Sequence, residues 1–263
     1  MSADAGQALL TNTVFDFLIV FVRVSSMVMV LPGLGASTVP AMAKIGISLA
    51  LTTIIAPLVA AALPPMPQTP ALLVAMIVEQ LVVGITIGWL VNTILYALPI
   101  AGQAISYQIG LSSVLLPSTD MGAESTLVSS IFSMLLPVLF FSSTLMIVPI
   151  IALVHSFHRI PTDFIGQSHG VGLMVLLIKL VIKSVAFEFL LATQIAAPFL
   201  AIGMIWQAGL ALMAKASPQM QIFFVAAPLQ ILVGLGMLAA LLGPILATWQ
   251  ADAGRMLLHY VAL

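Results

Sequence analysis

Five charged residues, Arg23, Glu79, Lys179, Lys183 and Glu188, stand inside otherwise apolar sequence, and they are where this chain could do chemistry. An ionised group near the centre of a hydrocarbon layer costs at least about 2.5–3.5 kcal/mol. Each therefore needs a partner, an interfacial position or a water-filled lining. In such a setting Glu79, Lys179 and Lys183 could relay protons or couple an ion. Plainer roles stand beside that one. Lys179 and Lys183 are four residues apart and share a helix face, where like charges repel unless an acid approaches from elsewhere. Both can instead snorkel to a headgroup region and meet a neighbouring subunit. Glu188 lies too far round the helix to bridge Lys183. Glu79 can be a buried structural carboxylate, and it precedes Gly84 and Gly88, a small-xxx-small stripe that admits another backbone.

Other chemistries find no support. His155 and His158 are three apart, with Asp163 and His169 nearby, and loop polarity explains them better than a metal site. Gly-x-Ser-x-Gly, a Walker loop and a Rossmann fingerprint are all missing, so no enzyme activity and no cofactor are expected. The chain has no cysteine, which excludes disulfides and thiolate metal sites. A net charge of −1 without a basic tract leaves no footprint for nucleic acid.

The elements that must position the charged residues follow from composition. The 263 residues are 62% hydrophobic and 6% charged, with mean hydropathy +1.25. A soluble domain is about 25% charged, so this chain cannot cover itself with a water-compatible surface. A membrane or lipid-surrounded protein is expected. Apolar runs fall at about 14–34, 45–63, 71–98, 127–154, 171–214 and 221–248. The first is longer than a signal-peptide core and does not read as a leader. No run alternates apolar with polar as a barrel strand would, so the expected class is all-α. The 171–214 run is about twice the roughly 20 residues that span a bilayer. It reads either as two helices joined by a tight turn near Ala197-Pro198 or, preferred because Gln194 and Gln207 are too scattered for a loop, as one long bent helix. Pro57, Pro99, Pro137, Pro149, Pro198, Pro228 and Pro244 lie within or at the ends of runs. Each leaves a carbonyl that a neighbouring helix or water must serve.

Two polar breaks carry the most information. From Pro99 to Glu124, Gly, Gln and Ser interleave with Tyr107, Ile109, Leu111 and Val114. The segment is too polar for lipid and too apolar for a free loop. Irregular backbone at membrane depth survives only when buried in protein or lining a cavity, so the segment could fill a passage at rest. The alternative is an ordinary long loop. The second break, Lys215 to Phe224, is a Ser-Pro-Gln turn between apolar stretches. The fifteen methionines could line a deformable seal, although most read as scattered core.

Together these residues resemble the FliR family of flagellar biosynthetic export-gate proteins, related to the SctT component of virulence injectisomes. The resemblance runs through Arg23, Pro32, Gly33, Gly35, Pro40 and Pro57, then Glu79, Gly84 and Gly88. It continues in Ala-Gly-Gln-Ala-Ile-Ser-Tyr-Gln-Ile-Gly-Leu-Ser at 101–112 and His-Ser-Phe at 155–157 with Pro161. Ala197-Pro198, Ser-Pro-Gln-Met-Gln-Ile-Phe at 217–223 and Pro228 complete it. The chain departs from the family at Gln221, at Leu116-Pro117 with Asp120 displaced, and at Ser143-Thr144.

The resemblance implies an all-α, polytopic inner-membrane protein of kinked helices and helical hairpins in the flagellar basal body. Residues 1–170 would be FliP-like, including the central plug loop at about 99–124. Residues 171–263 would be a FliQ-like hairpin and tail. It implies assembly with FliP and FliQ into a pore for unfolded flagellar proteins, with FlhB close to a cytoplasmic turn at Pro218, Gln219, Met220 and Gln221. Ile109, Gly110, Leu111, Ser112, Ser113 and Val114 are the expected plug, with Gly110 permitting a backbone turn. Arg23, Glu79, Lys179, Lys183 and Glu188 are expected at contacts between subunits. Two rivals remain: an injectisome paralogue, and a secondary transporter using Glu79, Lys179 and Lys183 as its ion pathway. The transporter predicts inverted repeats, and none is visible in the sequence.

Overall fold

A computed structural model describes residues 3–111, 115–117, 124–160, 170–216 and 222–262. Among the described residues are seven α-helices: α1 (Ala3–Val28), α2 (Ala41–Val59), α3 (Pro70–Gln108), α4 (Leu127–Ser142), α5 (Ile147–Arg159), α6 (Gly170–Ala216) and α7 (Ile222–Ala262). Between α3 and α4 lies a three-residue antiparallel pair, β1 (Leu115–Pro117) with β2 (Glu124–Thr126), in which Leu115 faces Thr126. Among the described residues the fold is all-α apart from that pair.

The long run at 171–214 is one helix, α6, of 47 residues with Pro198 inside it. Other boundaries differ from expectation. Helix α3 does not stop at residue 98 but runs through Pro99 to Gln108. Proline at position 99 deprives the Leu95 carbonyl of its usual i+4 donor. Trp249 on α7, fully buried, donates its indole N–H to that carbonyl at 3.2 Å. The helix keeps going because a distant side chain supplies the missing proton.

The apolar run at 127–154 is two helices rather than one. Ser143 is extended (φ −103°, ψ 167°), and its Oγ accepts from the Leu145 amide at 3.3 Å, which starts a short 3-10 turn over Thr144–Met146. Pro149 falls in the first turn of α5, where no amide is needed. Helix α5 continues past His155 to Arg159, and α7 continues past residue 248 to Ala262. Helices α2, α3 and α7 are long and apolar enough to cross a membrane. The α4–α5 pair makes a fourth candidate if its 78° bend belongs to one broken span.

The chain forms two compact units. The first comprises Met1–Thr93, Phe140–Val185 and Leu257–Leu263, and the second Ile94–Leu139 and Ala186–Met256. In the first, Phe15 and Ile19 of α1 pack on Met76 of α3, flanked by Leu63, Leu73 and Ile77. The turn from α1 to α2 is tied by Lys44, whose Nζ donates to the Gly35 and Ala36 carbonyls at 3.1 and 3.0 Å. In the second, Ile94, Leu98 and Ile105 of α3, Phe132 of α4, Phe199 of α6 and Trp249 of α7 are all buried. The expected division at residue 170 rests on likeness to other chains, which compactness does not test.

Candidate functional site

The expected plug begins where α3 ends. Ile109 still donates its amide to the Ile105 carbonyl at 3.0 Å, and Gly110 then turns into the left-handed region at φ +82°. A glycine just past a helix C-terminus is the residue that takes this conformation without strain. Ile109 and Leu111 are buried. Ser112, Ser113 and Val114 lie outside the described residues, as do Pro218, Gln219, Met220 and Gln221 of the expected cytoplasmic turn.

The α3 terminus is seated between two helices of the same unit. The last carbonyls of a helix lack intrahelical donors. Gln230 on α7 meets that need at Gln108, its Nε2 donating to the Gln108 carbonyl at 2.8 Å. Gly234, one turn along α7, faces Ile109 so closely that an added Cβ would stand 2.4 Å from the Ile109 Cβ. At Gly203 on α6 an added Cβ would stand 1.7 Å from the Gln108 side-chain amide nitrogen, a flexible end that can move aside. A cavity of about 30 Å³ lies beside this seat, lined by Ile109, Phe199, Trp206, Gln230 and Met237 among others. Upstream, Gly102 lets α3 approach α4, with Ser129 Cα 3.0 Å from where a Cβ would be. Ser106, fully buried, accepts from the Val128 amide in the first turn of α4 at 3.3 Å.

The expected charged residues divide by environment. Arg23 is fully buried in the first unit. Its Nε donates to Gln80 Oε1 at 2.7 Å, and a terminal nitrogen donates to Ser156 Oγ at 3.0 Å. The second terminal nitrogen points at the Ile160 carbonyl at 3.5 Å, and the guanidinium stacks on the Phe157 ring. The buried Glu79 carboxylate attracts this cation. A desolvated guanidinium with an opposite charge, several acceptors and an aromatic face is as well served as a buried cation can be. Gly84 and Gly88 act as the stripe predicts. Added Cβ atoms there would lie 2.3 Å from the Arg23 carbonyl oxygen and 2.7 Å from that of Met27, so α1 and α3 touch backbone to backbone.

Lys179 and Lys183 are exposed on α6 and Glu188 is half-buried. They do not join Arg23 and Glu79 in that cluster. Four residues that matter here were not singled out from sequence for these positions. Gln80 and Gln230 were visible only as amides in apolar runs, and Gly203 and Gly234 only as two of eighteen glycines. Ser156 and Phe157 did belong to the His-Ser-Phe element, although nothing tied them to Arg23.

The chain is similar to known export proteins. Residues 14–256 match the family model described as bacterial export proteins, family 1. The chain is 33% identical to the flagellar biosynthetic protein FliR of Caulobacter vibrioides over 241 residues, covering 91% of this chain and 93% of that one. It is 29% identical to the FliR of Escherichia coli, covering 86% and 83%, and 26% identical to that of Bacillus subtilis, covering 86% and 87%. Every feature of the two clusters, from Arg23 to Trp249, falls inside the matched span, and the chain belongs to family 1 of the bacterial export proteins, the family of FliR.

Proposed function

We propose that this chain is a non-enzymatic subunit of the flagellar protein-export gate in the bacterial inner membrane. In this reading it assembles with FliP and FliQ around a passage for unfolded flagellar proteins, with FlhB at its cytoplasmic side. Energy comes from the proton-motive force and an ATPase on other subunits. Residues 1–170 take the place of a FliP-like chain and 171–263 that of a FliQ-like hairpin. Ile109 to Val114 form the plug, and Pro218 to Gln221 turn in the cytoplasm.

The observation that carries an assembled rather than solitary protein is helix length. Helix α6, with 47 residues, extends about 70 Å at 1.5 Å per residue, against a hydrocarbon core of about 30 Å. Its outward side chains stay greasy far along it, with Met204, Ile205 and Leu212 each more than 70% exposed. Lipid cannot cover a helix more than twice its own thickness, so other chains must. Lys179, Lys183 and Glu188 on the same helix are positioned to meet such chains, while Arg23 and Glu79 serve this chain's own fold.

The test is Gly110→Asp. A side chain at φ +82° strains the turn, and a charge there opposes closure. Cells carrying the variant should show increased ion leak and altered export of a flagellar protein. If both are unchanged with the variant fully incorporated, the plug assignment is wrong. Native mass measurement of the detergent-extracted complex should show a large hetero-oligomer with two smaller hydrophobic partners. A monomer would overturn the gate reading.

A further inference from the structure

Lys179 and Lys183 stand on the outward face of α6 within the first unit, and both are exposed. Residues four apart on a helix are neighbours, with Cβ atoms about 5–6 Å from each other. The face around them is greasy: Val175, Leu176, Ile178 and Ile182 are each more than 40% exposed. The other side of the helix turns inward, where Ser184 is fully buried. Glu188 follows Lys183 by five residues and Lys179 by nine, which carries it about 140° and 180° round the helix from them. It is half-buried there and cannot serve either lysine. No acidic group among the described residues pairs with Lys179 or Lys183. Two cations thus share one apolar face, where they repel each other unless an anion comes between them.

Building on the assembled-gate reading above, we propose that this face of α6 receives an apolar helix of another chain, whose Asp or Glu carboxylate lies between the two ammonium groups. A carboxylate has two oxygens, one for each lysine. Charge complementarity asks for an anion, and depth decides which one. The polar stretch before α6, Pro-Thr-Asp-Phe-Ile-Gly-Gln-Ser-His at 161–169, is the nearest sequence suited to a bilayer surface. From Gly170, Lys183 lies thirteen residues along the helix, about 20 Å at 1.5 Å per residue, whereas each headgroup layer is only about 5–8 Å deep. Lys179 can snorkel back toward a lipid phosphate, but Lys183 is too far along to share it. In the other direction no further cation stands on α6 before Lys215. A side-chain carboxylate carried on a greasy helix reaches both lysines at that depth.

Three double variants test this in cells where the full-length chain replaces the native protein, read by native mass of the detergent-extracted complex. Lys179→Met with Lys183→Met keeps the apolar stems and strands the partner's carboxylate. The yield of hetero-oligomer should fall about tenfold or more. Lys179→Arg with Lys183→Arg keeps both charges and should assemble at the parent level. Lys179→Glu with Lys183→Glu should abolish assembly, and an Asp or Glu to Lys or Arg change in a partner chain should restore it. A methionine pair that assembles and exports like the parent overturns the proposal. If it assembles normally but sheds bound phospholipid mass, the anion is a lipid headgroup, and the proposal falls equally. A complex in which the lysine face joins two copies of this chain overturns it as well. So does a glutamate pair that no acid-to-base change in any partner rescues, whether the variant stays in the membrane or is degraded. All of these leave the gate reading standing. A parent protein that is itself a monomer ends the gate reading, and this inference with it.

Discussion

Arg23 stacks over Phe157, its guanidinium carbon 4.0 Å from the ring centroid, while the same group hydrogen-bonds Gln80 and Ser156. One side chain of α1 thereby holds α3 and the end of α5 together. Arg23→Ala should cost about 3–5 kcal/mol, because it takes a buried cation away from the Glu79 carboxylate and strands two polar partners. Arg23→Lys keeps the charge but loses the planar fork and the stack, and should cost clearly less than the alanine variant. Thermal denaturation of the detergent-solubilised protein checks both. An alanine variant as stable as the parent would show that the cluster contributes nothing.

The backbone contact between α1 and α3 predicts an asymmetry among glycines. At Gly84 a Cβ would meet Ser26 Oγ at 1.9 Å and the Arg23 carbonyl oxygen at 2.3 Å. The hydroxyl can rotate away but the carbonyl cannot, so Gly84→Ala should destabilise by about 1–3 kcal/mol or more. Adding Ser26→Ala should recover little of that loss. Gly46→Ala meets nothing within 4 Å and should gain up to about 1 kcal/mol from helix propensity. Equal effects at the two positions would contradict the close approach.

The Trp249–Leu95 hydrogen bond predicts a coupling with Pro99. Trp249→Phe should cost about 1–3 kcal/mol, since it leaves the buried Leu95 carbonyl without a donor. Pro99→Ala restores a backbone amide for that carbonyl. In the Pro99→Ala background, Trp249→Phe should therefore cost about 1 kcal/mol less. Strict additivity in the double-mutant cycle would mean the indole does not compensate for the proline.

Ser106→Ala removes the acceptor for the Val128 amide at the start of α4. A loss of about 0.5–2 kcal/mol is expected, as for a helix cap. The Val128 amide should also exchange with solvent faster. Unaltered exchange would place the amide's acceptor elsewhere.

The helical class, the single long α6 and the close approach at Gly84 and Gly88 were legible because they depend on local composition and spacing. A backbone turn at Gly110 was legible from glycine's conformational freedom, although the helix end that precedes it lies ten residues later than the apolar run suggested. Residue pairings across long sequence distances were not. Nothing local to Pro99 says that Trp249 will serve its orphaned carbonyl, so the break expected at that proline is absent from the structure. Arg23 was recognised as needing partners, but Gln80, Ser156 and Phe157 come from two other helices. Gln230, Gly203 and Gly234 escaped notice because a single amide or glycine in an apolar helix gains meaning only from what is placed against it. The break at Ser143 was missed for a different reason, since hydropathy is continuous across it and only the serine's own hydrogen bond to Leu145 redirects the chain.

The bond between Leu95 and Trp249 closes over 154 positions of sequence. During synthesis, Leu95 leaves the ribosome long before the tryptophan that will serve its carbonyl has been translated. Until then the nascent protein carries a bare carbonyl in an apolar environment, and its middle third cannot settle ahead of its tail. A premature stop codon just before residue 249 would therefore do damage beyond the fifteen residues it deletes, leaving an unserved carbonyl in α3 for proteolytic quality control to find.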